Sequence, residues 1–326
     1  MVRRAERATE MRLKKTRGLT SARRLLSDRA MTAPRQVLPG TTYLITRRCA
    51  QRQFLLRPSK ITNAIFLYVL AVAAGRFGMN IHAYCVLSNH FHLILTDPGA
   101  RLPAFEQYLD SLVARAINAS LGRWEAFWAP SSYSAVALGS PADVVDKTAY
   151  VLANPVAAGL VRRGRDWPGL WSAPELVGGQ PLTVRRPQTF FRENGSMPES
   201  VELTLTAPPG FDSPADFRER VAAALGRAEA AAGACESSGV RVVGAERVLA
   251  QEVRRRAVQR EPRRTLNPRV AARDRWKRIE ALQRLRGFLE RYRAAWRARR
   301  AGDFAALFPP GTYLLRVAHG APCAAT

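Results

Sequence analysis

His90 and His92 stand one residue apart in the string Ser88-Asn89-His90-Phe91-His92-Leu93-Ile94-Leu95, and the chain holds only four histidines. On a strand, alternate side chains share a face, so both imidazoles project together while Phe91 and Leu93 point into the core. Two imidazoles on one rigid face make half of a metal site, or they are simply part of a solvated strand face. A second pair follows in Tyr150-Val151-Leu152-Ala153-Asn154-Pro155. Tyr150 and Asn154 are four apart and share one side of a helix. A phenol and a carboxamide so placed could meet the paired histidines. Two imidazoles and one amide oxygen would leave positions open on Mg2+ or Mn2+ for phosphate oxygens. Read separately, Tyr150 is a half-buried structural tyrosine and Asn154 a helix-end residue, and the residues alone leave both readings open.

The elements that must position these groups are legible from pattern. Thr41 to Arg48 reads as a strand after Gly40. The apolar run from Ile61 reads as a buried helix with Pro58 and Ser59 at its start and Gly75 and Gly78 near its end. Asn80 to Leu87 and His90 to Leu95 read as two strands joined by a tight bend at Ser88-Asn89. Leu102 to Ser120 is a long helix with apolar positions at Phe105, Leu109, Leu112, Val113 and Ile117. Trp124 to Trp128 is an aromatic cluster, and Ser134 to Ala137 a short strand. Ser140 and Pro141 open a helix through Tyr150 that Pro155 should disrupt or end. Mixed in this way, the elements predict an α+β domain over 31–175. His82, on the strand before the histidine pair, is a DNA contact, an alternate ligand or a plain surface histidine.

Beyond this domain, 176–215 is a Pro- and Gly-rich connector with a short strand around Leu203 and Leu205. Residues 216–326 form a basic, mainly helical region. From Arg247 to Arg300 it has nineteen Lys and Arg against five acids. Ile279, Leu282, Leu285, Phe288, Leu289, Tyr292 and Trp296 recur at helical spacing, so one face should pack and another stay basic. Residues 1–30 carry ten basic and three acidic residues, and read as a flexible basic arm or an extension ahead of a start at Met31.

The whole chain has 326 residues, 51 Lys and Arg against 26 Asp and Glu, and a formal charge of +25. Such an excess attracts a polyanion and releases its counterions on contact, which makes nucleic acid the leading partner. The four cysteines are far apart and form no CxxC pair, which argues against a zinc finger or a disulfide framework. They suit a reducing, cytoplasmic setting. The most apolar run, 61–74, is too short to span a bilayer, and no signal peptide is evident.

At this point two strings resemble a known family. Ala83-Tyr-Cys-Val-Leu-Ser-Asn-His-Phe-His-Leu-Ile-Leu resembles the histidine–hydrophobic–histidine strand of the IS200-like single-tyrosine transposases. Tyr150-Val-Leu-Ala-Asn-Pro-Val-Ala-Ala-Gly-Leu-Val resembles the catalytic helix of the branch associated with repetitive extragenic palindromes. The likeness covers 35–175. It implies a ferredoxin-like antiparallel sheet with packed helices, Tyr150 as nucleophile, and His90, His92 and Asn154 as ligands of Mg2+ or Mn2+. The implied reaction is cutting and rejoining of single-stranded DNA, in hairpin or palindromic form, through a covalent 5′-phosphotyrosine. The expected DNA contacts are Arg47, Arg48, Lys147, Arg162 and Arg163 near the motifs, and Arg254, Arg255, Arg256, Arg263 and Arg264 in the basic region. The long C-terminal region favours a monomer, with a homodimer as the alternative. The rival reading is a nucleic-acid-binding regulator that keeps the fold without the chemistry.

Overall fold

The computed structural model describes residues 33–130, 133–234, 242–257 and 268–325. The chain divides into two units, Met1–Arg35 and Gln36–Thr326, and the described elements belong to the second. The expected basic arm and the start at Met31 lie outside the described residues, as do Arg263 and Arg264.

Four strands alternate with two helices in the order β1 (Thr41–Arg48), α1 (Lys60–Phe77), β2 (Asn80–Leu87), β3 (His90–Asp97), α2 (Leu102–Ser120) and β4 (Ser134–Leu138). The strands lie side by side as β2-β3-β1-β4, each neighbour antiparallel. A fifth strand, β7 (Val270–Ala271), joins the β4 edge in parallel. A separate two-stranded sheet pairs β5 (Leu182–Arg185) with β6 (Ser200–Leu203). The result is a mixed α+β fold, a central sheet with helices packed on it.

Local chemistry sets the element ends. Ser59 caps α1 by accepting from the Thr62 amide at 3.0 Å, and Gly78 ends it in the left-handed conformation that glycine tolerates. By length and composition α1 could cross a membrane. It is instead buried on two sides. Phe66 meets Phe91 of β3 edge to face at 5.1 Å, while Tyr68 meets Phe191 at 5.1 Å and donates to the Pro198 carbonyl. A helix covered on both sides is apolar all round, which explains the uninterrupted run. Each fully buried aromatic or branched side chain here contributes about 1.5–3 kcal/mol.

The helix α3 (Pro141–Ala157) lies on the opposite sheet face from α1 and α2. Its cap is Ser140, which accepts from the Asp143 amide. Pro155 neither breaks nor ends it. The helix runs two residues further, because a proline in the last turn forfeits only one ladder bond. Against α3 packs α4 (Pro214–Ala234), and the same core takes in Leu203, Leu205, Phe217, Val221 and Val248. The short α5 (Ala245–Leu249) supplies that valine.

The long α6 (Arg275–Arg300) differs from its sequence pattern. Phe288, Tyr292 and Ala295 are buried with Phe308 and with Leu315 of α7 (Leu314–His319), whereas Leu282 is exposed and Ile279 only half-buried. Among the described residues, the apolar stripe of α6 is packed from Leu285 onward, while Leu282 faces out.

Candidate active site

The antiparallel ladder brings Thr46 opposite His92 and Arg48 opposite His90. Alternation then puts Thr46, Arg48, His90 and His92 on one face, and Arg47, Phe91 and Leu93 on the other. The helix α3 crosses the histidine face with Tyr150 and Asn154 on its lower side. The His90 and His92 rings are 4.9 Å apart, and the Tyr150 ring is 5.7 Å from that of His92. Tyr150 remains 49% exposed.

Hydrogen bonds fix the imidazoles. Asn154 Nδ2 donates to His92 Nε2 at 3.3 Å, so the His92 proton sits on Nδ1 and goes to Thr46 Oγ1 at 2.7 Å. His90 Nδ1 donates to Asn89 Oδ1 at 2.7 Å, and Asn89 Nδ2 in turn donates to the Arg52 carbonyl at 3.4 Å. The Asn154 carboxamide also acts on His90, where it partly offsets the downward push of burial. Burial, then the Arg48 guanidinium, pushes the His90 pKa down to about 4. Burial, the neighbouring His90 and Arg48 push His92 well below its usual value. Both rings are neutral at physiological pH and keep a lone pair on one nitrogen.

This donor set fits a divalent cation. The rings are neutral, and the partners Thr46 and Asn89 hold the Nδ1 protons, the kind of outer contact that orients ligating histidines. Asn154 lies within hydrogen-bond reach of His92, and its carboxamide oxygen is the third donor of the candidate set. Among the described residues, no three His, Cys, Asp or Glu side chains gather as a metal cluster. The candidate set is accordingly two imidazoles and one amide.

The basic residues named from sequence separate into groups. Arg48 lies with the histidines and is exposed. Lys147, one turn before Tyr150, holds its ammonium 5.9 Å from the Tyr150 ring centroid and 3.9 Å from Asp146. Arg162 and Arg163 are exposed just beyond α3. Arg47 is on the far face, paired with Asp110 of α2 at 3.1 Å and stacked on Trp128. Arg254, Arg255 and Arg256 are exposed on a segment bound along residues 52–57. There the Phe54 amide donates to the Arg255 carbonyl at 3.1 Å, and the Ala257 amide to the Arg52 carbonyl at 3.2 Å.

Sequence reasoning missed the residues that hold the site together. Gln251 accepts from Ser88 Oγ at 2.7 Å and from Arg57 Nη1 through its carbonyl at 3.0 Å, which ties the histidine hairpin to the C-terminal chain. Asp143, buried in the first turn of α3, accepts the Arg273 amide at 2.7 Å, and Arg273 pairs with Asp146 at 3.5 Å. Capping by Ser140 could be read from the sequence, but a second partner about 130 residues away could not. His82 is neither ligand nor surface group. A register shift between Ile81 and Ala83 turns it inward, to 1% exposure. It donates to the Thr206 carbonyl at 2.6 Å and accepts from Thr96 Oγ1 at 2.8 Å.

No family profile matches the chain, and no curated protein matches it. Solved structures distantly similar to parts of it include two transposases. A provisionally assigned transposase from Deinococcus radiodurans R1 is 20% identical over 32% of this chain and 85% of its own, with a TM-score of 0.26. A REP-associated tyrosine transposase bound to a REP hairpin is 20% identical over 43% of this chain and 81% of its own, with a TM-score of 0.37.

Proposed function

We propose that this chain is a single-strand DNA endonuclease and strand transferase that works through Tyr150. The observation that carries the reading is one juxtaposition: a half-exposed tyrosine stands beside two neighbouring neutral imidazoles, one of them hydrogen-bonded to a carboxamide from the tyrosine's own helix. The strand order β2-β3-β1-β4 with its two crossover helices supports assignment to the ferredoxin-like arrangement of the histidine–hydrophobic–histidine nucleases.

The Tyr150 oxygen attacks a phosphodiester, its proton passing to solvent on the exposed side. The product is a 5′-phosphotyrosine and a free 3′-OH, and attack by a 3′-OH on that linkage rejoins strands. His90, His92 and Asn154 are the residues to hold Mg2+ or Mn2+, which when bound supplies polarisation of the scissile phosphate. Arg48 and Lys147 flank the site and attract the backbone of the strand. A neutral ligand set leaves that attraction undiminished, since no carboxylate lies among the donors.

The test is incubation of the protein with labelled hairpin single-stranded DNA and Mg2+ or Mn2+, followed by denaturing electrophoresis. A covalent adduct is expected from the native chain and none from Tyr150→Phe. Replacing both histidines by alanine is expected to abolish cleavage while leaving DNA binding largely intact. Absence of any adduct, with hairpin binding retained, would favour the regulator.

A further inference from the structure

The first half of α6 is mostly exposed among the described residues and carries a consistent chemistry. Over Arg275–Arg286 the exposed side chains include Arg275, Lys277, Arg278, Arg284 and Arg286, against the single acid Glu280. Among them Trp276 is 73% exposed, with the Arg275 guanidinium 5.8 Å from its ring centroid. An exposed indole among cations offers a flat stacking face inside a basic surface. The helix also begins at a particular place. Asp274 caps it by accepting from the Lys277 amide at 2.8 Å, and Arg273 just before is bound to Asp143 and Asp146 of α3. Asp146 also holds Lys147, one turn from Tyr150. The basic stretch thus leaves from the helix that carries the tyrosine.

We infer that the first half of α6 is a docking surface for single-stranded DNA, with Trp276 stacking on an unpaired base and Arg275, Lys277 and Arg278 gripping the flanking phosphates. Positive charge selects a polyanion. The exposed indole selects a strand with accessible base faces, because duplex bases are already stacked. The choice of DNA rests on the function proposed above, while the surface itself does not depend on cleavage.

The experiment uses the full chain with Tyr150→Phe, so that binding is read without chemistry. Fluorescence anisotropy compares a labelled thymidine oligonucleotide with an abasic one of equal length. Trp276→Ala is expected to weaken the thymidine oligonucleotide roughly tenfold and leave the abasic one unchanged, and Trp276→Phe to restore most of the loss. Joint replacement of Arg275, Lys277 and Arg278 by alanine should weaken both and lower the salt slope by about 2. Equal effects of Trp276→Ala on both oligonucleotides, or none, overturn the inference. So does a Trp276 effect confined to anionic phospholipid vesicles, which would mark a membrane surface. A Trp276-dependent preference for bases in a chain whose Tyr150 forms no adduct would separate this surface from the nuclease reading.

Discussion

Acid should loosen this protein through His82, and the size of the effect follows from where the ring sits. Both ring nitrogens are occupied, Nδ1 by the Thr206 carbonyl and Nε2 by Thr96 Oγ1, which is itself 2.7 Å from Thr42 Oγ1. Burial pushes the pKa down from 6.5 to about 4. The unfolded chain therefore binds a proton between those values while the folded chain does not. Stability from this group is complete above pH 6.5 and is lost as pH falls towards 4. Each pH unit in that window is worth about 1.4 kcal/mol, so the loss is about 2 kcal/mol at pH 5 and about 3 kcal/mol at pH 4. Asp110 acts in the opposite sense. Burial raises its carboxyl despite Arg47, and the folded chain then holds that proton more tightly as pH falls. The two histidines of the site add losses of their own. Comparison with His82→Gln isolates the one group, because the amide is neutral throughout. Urea unfolding at pH 7.5 and pH 5 should show a stability drop about 2 kcal/mol smaller in the variant. Equal drops in the two proteins would show that His82 is protonated as easily in the fold as out of it.

Two further substitutions test the scaffold. Asp143→Ala strips the Arg273 amide of its acceptor, at a cost of roughly 1–3 kcal/mol. Hydrogen exchange should report it first at the Ala137 and Gly139 amides, which donate to the carbonyls of Arg269 and Ala271; unchanged protection there would mean that β7 is held without it. Gly164→Ala should destabilise by roughly 1–3 kcal/mol, since the new methyl would lie 2.8 Å from the Leu152 carbonyl and 2.9 Å from Trp171 Nε1. Trp171 Nε1 donates to the Leu152 carbonyl at 2.9 Å, and a thermal melt no lower than that of the native chain would show that this bond gives way freely.

The central sheet and its helices could be read in the sequence because each announces itself locally. Ser59, Gly78 and Ser140 mark helix ends by their own chemistry, and β1, β2 and β3 are long enough for the alternation to count. The pairing of His90 with His92 and of Tyr150 with Asn154 follows from the two periods of 2 and 3.6. Their meeting across α3 and β3 does not, since it depends on which sheet face the helix takes. Other features leave no local trace. The inward turn of His82 comes from a one-residue register shift. The strand β7 is two residues long and lies about 130 residues from its neighbour. Arg47 and Arg48 look equivalent as charges, yet alternation on a strand sends them to opposite faces, one to Asp110 and one to the histidines. In α6 the apolar spacing begins at Ile279 and Leu282, which among the described residues are half-buried and exposed, so periodicity overstated the buried face.

The ties from Gln251 to the histidine hairpin and from Arg273 to the tyrosine helix have a consequence during synthesis. A ribosome adds about 5–20 residues per second. Roughly a hundred residues separate Tyr150 from Gln251, so for on the order of 5–20 s the nascent chain carries both halves of the site without the C-terminal ties that hold them. A cutting activity that requires those ties would stay silent through translation and switch on only once the protein is nearly finished.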